Sequence, residues 1–279
     1  MIAALALGAL AFLTAGCGQS APAALKIGMI PDAGATQVSI DEKAPLKAYL
    51  EKQLGRPVEL IIPTNYAATV EALGNGSLDL AYLGGLTYAK ARARYGVVPL
   101  VQRDIDQRFH SVFIVRAGSP IGKLADLGGK TFCFGDINST SGHLIPRLVL
   151  RQAGVPAETA LAEFRHTGSH PATAQAVAAG ACDAGALDET VFAKLGEGGK
   201  LAPGSLKVFH TSAPFTDYVW AARKDLPESQ RDAIAAAFQG LAAGRDDQVL
   251  GILRATKFVP ANDAAYAQVR QIAQDLKLL

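Results

Sequence analysis

The sequence predicts an α/β protein built as two lobes, each a largely parallel sheet flanked by helices. Three observations carry this. Apolar, β-branched runs alternate with amphipathic stretches of roughly ten residues, the rhythm of strand–helix–strand units. The rhythm halts at "HSVFIVRAGSPI" (110–121) and then restarts. Extended stretches at 110–116 and 218–223 join the two sets, and a helical tail closes the chain. On this reading 24–112 and 220–279 form lobe 1, 113–219 form lobe 2, and two crossing strands make a hinge.

Each element follows from its local pattern. "ALKIGMIPD" (24–32) has a β-rich core ending in a Pro-Asp turn, a first strand and its loop. "APLKAYLEKQLG" (44–55) spaces apolar residues for a helix and stops on glycine. "PVELIIP" (57–63) is a second strand. The run from 66 to 85 gives a short helix, a turn and a strand at 78–83. A helix over 86–95 and a strand at 97–101 complete the first set. In the second set, 124–129 is a turn region, "KTFCFGD" a strand, 144–153 a helix and "LAEFRHTG" a strand. "HPATAQAVAAGACDAGALDETVFAKL" (170–195) reads helix, strand, helix, and "SLKVFHTS" and "DYVWAARKDL" are further strands. From 228 onward the chain is helical, with breaks near 244 and 258–262.

Composition narrows the function classes. Apolar residues make up 49% and charged residues 19% of 279, the balance of a globular protein with a large core. A formal charge of +2 without a basic stripe argues against nucleic acid as a partner. Residues 2–13 form an apolar run of signal-peptide length, followed by "LTAGCG". This resembles a bacterial lipoprotein cleavage site, with Thr14 where Leu or Val is usual. Residues 1–17 are then a signal peptide, Cys17 the lipid-bearing residue, and the protein is exported. Of the other cysteines, Cys133 and Cys182 could pair in an oxidising compartment, but two cysteines alone are no disulfide framework, and two buried small residues is the preferred of the two readings. With no CxxC and no His/Cys cluster, no metal site is expected.

The chemistry concentrates in "FGDINSTSGHLIP" (134–146). Proline is tolerated in the first turn of a helix and disruptive in its interior, so Pro146 places Ser139 to His143 at a helix tip. That tip offers unpaired N–H groups and the positive end of the helix dipole. Adjacent hydroxyls at Ser139, Thr140 and Ser141 then suit a tetrahedral oxyanion, and Gly142 permits close backbone approach. One of the three can equally be a plain N-cap, worth about 1 kcal/mol. Enzyme readings fail on spacing. "NSTSG" lacks the first glycine of G-x-S-x-G, and "LGGKT" (127–131) would put Leu124 at the first glycine of a P-loop. His143, His166 and His170 form no recognisable triad, so no catalytic residue and no cofactor are assigned.

Together "NYAATVEAL", "DLAYLGGLTYAKA", "FGD-x-NSTSGHL-x-P", "TGSHPATAQAV", "DAGALDE" and "DYVW" resemble, in order, the phosphonate/phosphite/phosphate-binding proteins of bacterial ABC transporters. The resemblance implies a type II periplasmic binding fold, two lobes closing over a ligand. It implies a monomer that delivers its ligand to an ABC permease with a cytoplasmic ATPase, touching the membrane only through the lipid. By position, Ser139, Thr140 and Ser141 would hold the phosphoryl oxygens, with His170 beside them. Tyr66 and Tyr88 would reach in from the other lobe, and Asp217 would sit on the crossing strand. Tyr82 and Tyr95 are expected to pack, His166 to lie at a strand end, and Phe109 and His110 to serve either the hinge or the pocket. Aminoalkylphosphonate binders carry a glutamate where this chain has Thr190, so a ligand without an amine is expected: phosphite, methylphosphonate or phosphate. The alternative is a sensor of the same fold, such as one for arsenic oxyanions, with Cys133 as a ligand thiol.

Overall fold

The computed structural model describes residues 23–31, 40–197 and 201–279. The leader, Cys17 and the Pro-Asp turn at Asp32 lie outside them. The first set of elements is β1 (Leu25–Met29), α1 (Ala44–Leu54), β2 (Val58–Ile61), α2 (Tyr66–Gly74), β3 (Leu80–Leu83), α3 (Gly85–Tyr95) and β4 (Val98–Arg103). After a 3-10 turn (Asp104–Arg108) come β5 (Ser111–Arg116), β6 (Thr131–Phe134), a wide π-type turn (Thr140–Leu144), α4 (Ile145–Gln152), α5 (Ala157–Ala160) and β7 (Glu163–His166). Then follow α6 (His170–Ala178), β8 (Ala184–Asp188), α7 (Glu189–Glu197) and β9 (Leu206–Thr211). The last elements are β10 (Val219–Ala222), α8 (Glu228–Gln239), α9 (Asp247–Leu253), β11 (Phe258–Pro260) and α10 (Ala267–Asp275).

Two sheets result, ordered β11-β4-β10-β3-β1-β2 and β7-β6-β8-β5-β9. Both are mixed, which corrects the expectation of largely parallel sheets. Strands β1, β2 and β3 run parallel, as do β6, β7 and β8. The strand that enters each sheet from the other set runs against its neighbours. β10 lies antiparallel between β3 and β4, and β5 antiparallel between β8 and β9. Helical crossovers within a sheet keep its strands parallel, and neither β5 nor β10 is reached by such a crossover from a strand of its own sheet. The tail also holds a short strand, β11, at the expected helix break; it covers the β4 edge.

The passages between sheets sit slightly earlier than the sequence suggests. Residues 111–116 and 219–222 are internal strands of their sheets, so the crossings are 104–110 and 212–218. They are tied where Phe109 N–H donates to Phe215 O (2.8 Å) and Phe215 N–H donates back to Phe109 O (3.0 Å). Phe109 is fully buried against Phe215 and Tyr218, which settles it as hinge packing. His110 faces the same region, its Nδ1 3.1 Å from Glu189 Oε1. Below the crossing, Arg103 and Asp106 form an ion pair with no exposed side-chain surface. The Arg103 guanidinium lies over the Phe109 and Tyr218 rings and also donates to the Leu253 and Arg254 carbonyls. Such a pair resists opening because either charge alone would be buried uncompensated.

Cys133 and Cys182 are bonded, so the less favoured of the two readings holds and that of two separate small residues is corrected. Cys133 on β6 and Cys182 just ahead of β8 stand 5.8 Å apart at Cα, on strands that are hydrogen-bonded neighbours. The sheet pairing that brings them together is long-range and leaves no trace in their spacing.

Candidate functional site

The hydroxyl segment sits where strand β6 ends and the chain winds into α4. Pro146 has no N–H and crowds the carbonyl four residues before it. The turn ahead of it widens: Leu144 N–H bonds Ser139 O and Ile145 N–H bonds Thr140 O, each five residues back. Ser139, Thr140 and Ser141 thus lie in the first turn, buried to 2%, 1% and 1% exposure. His143 holds the loop from behind, its ring 2.7 Å from the Ile137 carbonyl. Burial, with His166 nearby, lowers its pKa to about 3, so the ring is neutral and donates to that carbonyl from Nδ1.

The three hydroxyls have three different roles. Ser139 is the N-cap, its Oγ accepting from Gly142 N–H at 3.0 Å. Thr140 Oγ1 accepts from Leu86 N–H (3.0 Å), in the first turn of α3, and lies beside the Asp217 carboxylate. Ser141 Oγ is buried with no hydrogen-bond partner in the protein.

Asp217 is buried at the end of the second crossing. Its Oδ1 accepts from Gly85 N–H at 2.8 Å, while Oδ2 has no protein partner. Burial raises its pKa to about 7; the Gly85 and Thr140 bonds pull the other way, and Asp106 and Asp188 add to the rise. The group therefore stands near half-protonation at neutral pH.

His170 opens α6 and is fully buried. Its Nδ1 accepts from Asp188 N–H (3.3 Å), and its Nε2 stands 3.4 Å from the Tyr218 hydroxyl. Tyr218 in turn donates to Asp188 Oδ2 at 2.8 Å and stacks on Tyr82, centroids 4.9 Å apart. A Cβ on Gly142 would stand 3.1 Å from His170 Cε1 and 3.0 Å from Ser139 Oγ, so a side chain there would crowd both groups. Burial opposes charge on Asp188, but Arg254, His170 and Arg103 hold its pKa below the ordinary value.

The structure therefore brings Ser139, Thr140, Ser141, His170 and Asp217 into one buried cluster between the two sheets. Tyr66, at the start of α2, is buried in the core of the first sheet. Tyr88 departs from expectation. Its hydroxyl donates to Asp263 at 2.7 Å and its ring packs on Tyr266, because its position on α3 turns it toward the tail. Tyr82 packs between Tyr218 and Trp220, as expected, and Tyr95 bonds Glu71. Thr190 donates to Asp188 Oδ1 through both its N–H (2.6 Å) and its hydroxyl (2.7 Å), capping the turn into α7. Glu189 is held by His110. The disulfide leaves Cys133 without a thiol, which removes the ligand that the sensor alternative requires.

Sequence reasoning missed the first-turn amides of α3 and the hydroxyl of Tyr218. "LGGLTY" carried a signal for the former, since two glycines between a strand and a helix expose backbone N–H groups at a strand's carboxyl end.

Comparison with known proteins agrees with this geometry. Residues 27–266 match the family model of the ABC transporter phosphonate periplasmic substrate-binding proteins. The chain is 32% identical to a probable ABC transporter phosphite binding protein, PhnD1, of Prochlorococcus marinus, covering 92% of this chain and 91% of that one. It is 31% identical to the phosphonates-binding periplasmic protein of Escherichia coli, covering 82% and 70%. The solved structure of PhnD1 in complex with methylphosphonate superposes with a TM-score of 0.85, over 92% of this chain and 99% of that one. With the family model spanning nearly all of both sheets, the chain belongs to the periplasmic phosphonate substrate-binding proteins of ABC transporters.

Proposed function

We propose that the protein captures a small phosphorus oxyanion without an amine (phosphite, methylphosphonate, a related phosphonate or phosphate) and hands it to an ABC permease. The observation that carries this is a pair of buried polar atoms, Ser141 Oγ and Asp217 Oδ2, that no protein group satisfies. Buried polar groups are rarely left unpaired, and here an unpaired hydroxyl lies in a first helical turn, one residue before the Gly142 that abuts His170. Ser141 Oγ supplies a donor to an anionic oxygen at the positive end of the helix that follows it. Asp217 supplies a protonatable oxygen that suits a P–OH or P–H face and repels a full dianion.

The missing amine follows from Thr190. Its side chain is spent on Asp188, and Glu189 is spent on His110, so neither offers a free carboxylate to an ammonium. The two sheets act as lobes that turn about the Phe109–Phe215 tie. Cys17 carries the lipid that holds the monomer at the outer face of the cytoplasmic membrane, and replacing it with alanine releases the protein from membranes. The relatives are transport proteins, and no reacting group is assigned here.

Titration calorimetry of the soluble protein against phosphite, methylphosphonate, 2-aminoethylphosphonate, phosphate, sulfate and arsenite tests the reading. Phosphite or methylphosphonate binds tightest. Tightest binding of the aminophosphonate refutes the reading of Thr190, and tightest binding of sulfate refutes that of Asp217.

A further inference from the structure

Arg254 ends α9 in a conformation that arginine rarely adopts. Its φ of 52° and ψ of 43° are left-handed, where glycine or asparagine is usual after a helix. The buried Arg103 holds the backbone there, donating to the Leu253 and Arg254 carbonyls at 3.4 and 3.3 Å. Arg254 lines a cleft of about 720 Å³ whose far wall includes Pro171 of α6 and Val191 of α7. Pro171 follows His170, and Val191 N–H donates to Asp188 Oδ1 at 2.8 Å. α9 packs with the first sheet, whereas α6 and α7 flank the second. A cation of one half thus lines the same cleft as the helix starts that carry His170 and Asp188 of the other.

Charge balance gives this arginine a purpose. Lys43 and Lys194 on the cleft wall are matched in number by Glu42 and Asp247, which leaves Arg254 as the excess cation. Below the wall, Asp188 is a fully buried carboxylate, and a buried charge needs a partner. Its hydrogen bonds come from neutral donors: the Tyr218 hydroxyl, the Thr190 hydroxyl and amide, and the Val191 amide. Arg103, the other cation close by, is bonded to both carboxylate oxygens of Asp106. Among charged groups, Arg254 favours the ionised form of Asp188 most, ahead of His170 and Arg103. Asp188 also borders the candidate site, since its N–H meets His170 Nδ1 and its Oδ2 holds the Tyr218 hydroxyl. A carboxylate placed there attracts a ligand ammonium unless its charge is already met.

We propose that Arg254 is a specificity-determining residue: it meets the charge of Asp188 from within the protein, so that this carboxylate turns away ligands bearing an amine. The inference deepens the amine-free oxyanion reading above and rests on it. Thr190 leaves an ammonium without a partner; Arg254 adds repulsion, the second means by which a site rejects a competitor.

The test is titration calorimetry with methylphosphonate and 2-aminoethylphosphonate, together with carbon NMR of the Asp188 carboxyl in the ligand-free protein. The proteins are the wild type, Arg254→Met, Arg254→Lys, Asp188→Asn and the double variant of Arg254→Met with Asp188→Asn. In Arg254→Met the affinity for the aminophosphonate rises about tenfold relative to methylphosphonate, the contribution of one charge-assisted hydrogen bond. Arg254→Lys keeps the wild-type ratio, and the double variant loses the gain. Asp188 titrates about 1–3 pH units higher in ligand-free Arg254→Met than in the wild type. An unchanged ratio in folded Arg254→Met, an equal gain in Arg254→Lys, or a gain that survives in the double variant overturns the proposal. If Arg254→Met does not fold, Asp188→Asn decides. That variant opens the charge of Arg254, so phosphonoacetate gains about tenfold on methylphosphonate, and an unchanged ratio overturns the proposal. If the wild type already prefers the aminophosphonate, the amine-free reading falls, yet a further tenfold rise in Arg254→Met upholds Arg254 as the group that opposes the amine. If the wild type binds neither phosphonate, the oxyanion reading falls and the Asp188 titration decides, with no rise in Arg254→Met overturning the counter-charge.

Discussion

Ser139 and Ser141 stand two residues apart in one helical turn, and truncating each to alanine should have opposite signatures. Ser139 Oγ accepts the Gly142 N–H, so Ser139→Ala removes an N-cap. That costs about 1 kcal/mol of stability, a fall of about 2–4 °C in melting temperature for a protein of this size. Ser141 Oγ accepts and donates nothing within the protein while shielded from water. A buried, unsatisfied hydroxyl carries a desolvation penalty of about 1–3 kcal/mol, and Ser141→Ala removes it. The ligand-free variant should therefore melt at or above the wild-type temperature. Binding moves the other way. A hydrogen bond to a charged acceptor contributes about 1.5–3 kcal/mol, so Ser141→Ala should weaken phosphite or methylphosphonate binding about ten- to a hundredfold. Scanning calorimetry of the ligand-free proteins and isothermal titration of both variants read the two effects separately. A Ser141→Ala protein that melts several degrees low and binds normally would refute the reasoning.

Two further outcomes follow from the same site. The folded pKa of Asp217, about 7, lies above its unfolded value of 3.8, so its neutral form is the one that suits the fold. Stability contributed by that group is full below about pH 4 and is lost as pH rises through 7. Asp217→Asn should flatten this fall in urea unfolding measured from pH 4 to 8. The same variant should bind phosphate better relative to phosphite, and an unchanged ratio sinks the role given to this carboxyl. The Cys133–Cys182 bond closes a span of 49 residues, for which the chain-entropy model gives about 4 kcal/mol. The double alanine variant should lose up to that amount in denaturant unfolding while its ligand affinity changes by no more than a few-fold.

Much of this was legible in the sequence, for identifiable reasons. Helix stops such as Gly55 and Gly96 and the alternation of strands with helices are local, and every expected element of the first set appears. Pro146 correctly placed the hydroxyls at a helix start, although the π-type turn that carries them depends on bonds to residues five back. What stayed hidden was long-range. Strand direction in β5 and β10 depends on which sheet a crossing segment joins. The disulfide depends on the pairing of β6 with β8. The division of labour among Ser139, Thr140 and Ser141 depends on Leu86 and Asp217, 54 and 77 residues from Thr140. The aim of Tyr88 was set by Asp263, which no motif near Tyr88 announces.

The tie between Phe109 and Phe215 has a mechanical consequence. Two chain segments joining two bodies would ordinarily allow bending, twisting and shear, because each could flex independently. Here reciprocal backbone bonds and a shared aromatic wedge make the pair act as one torsional element. Asp217, anchored by its N–H to Asp106 O at 2.9 Å, sits almost on that element. A group near a rotation axis scarcely moves while the parts around it swing. If the two sheets turn about that element as proposed, the Asp217 carboxyl is expected to stay nearly fixed while the Ser141 side moves.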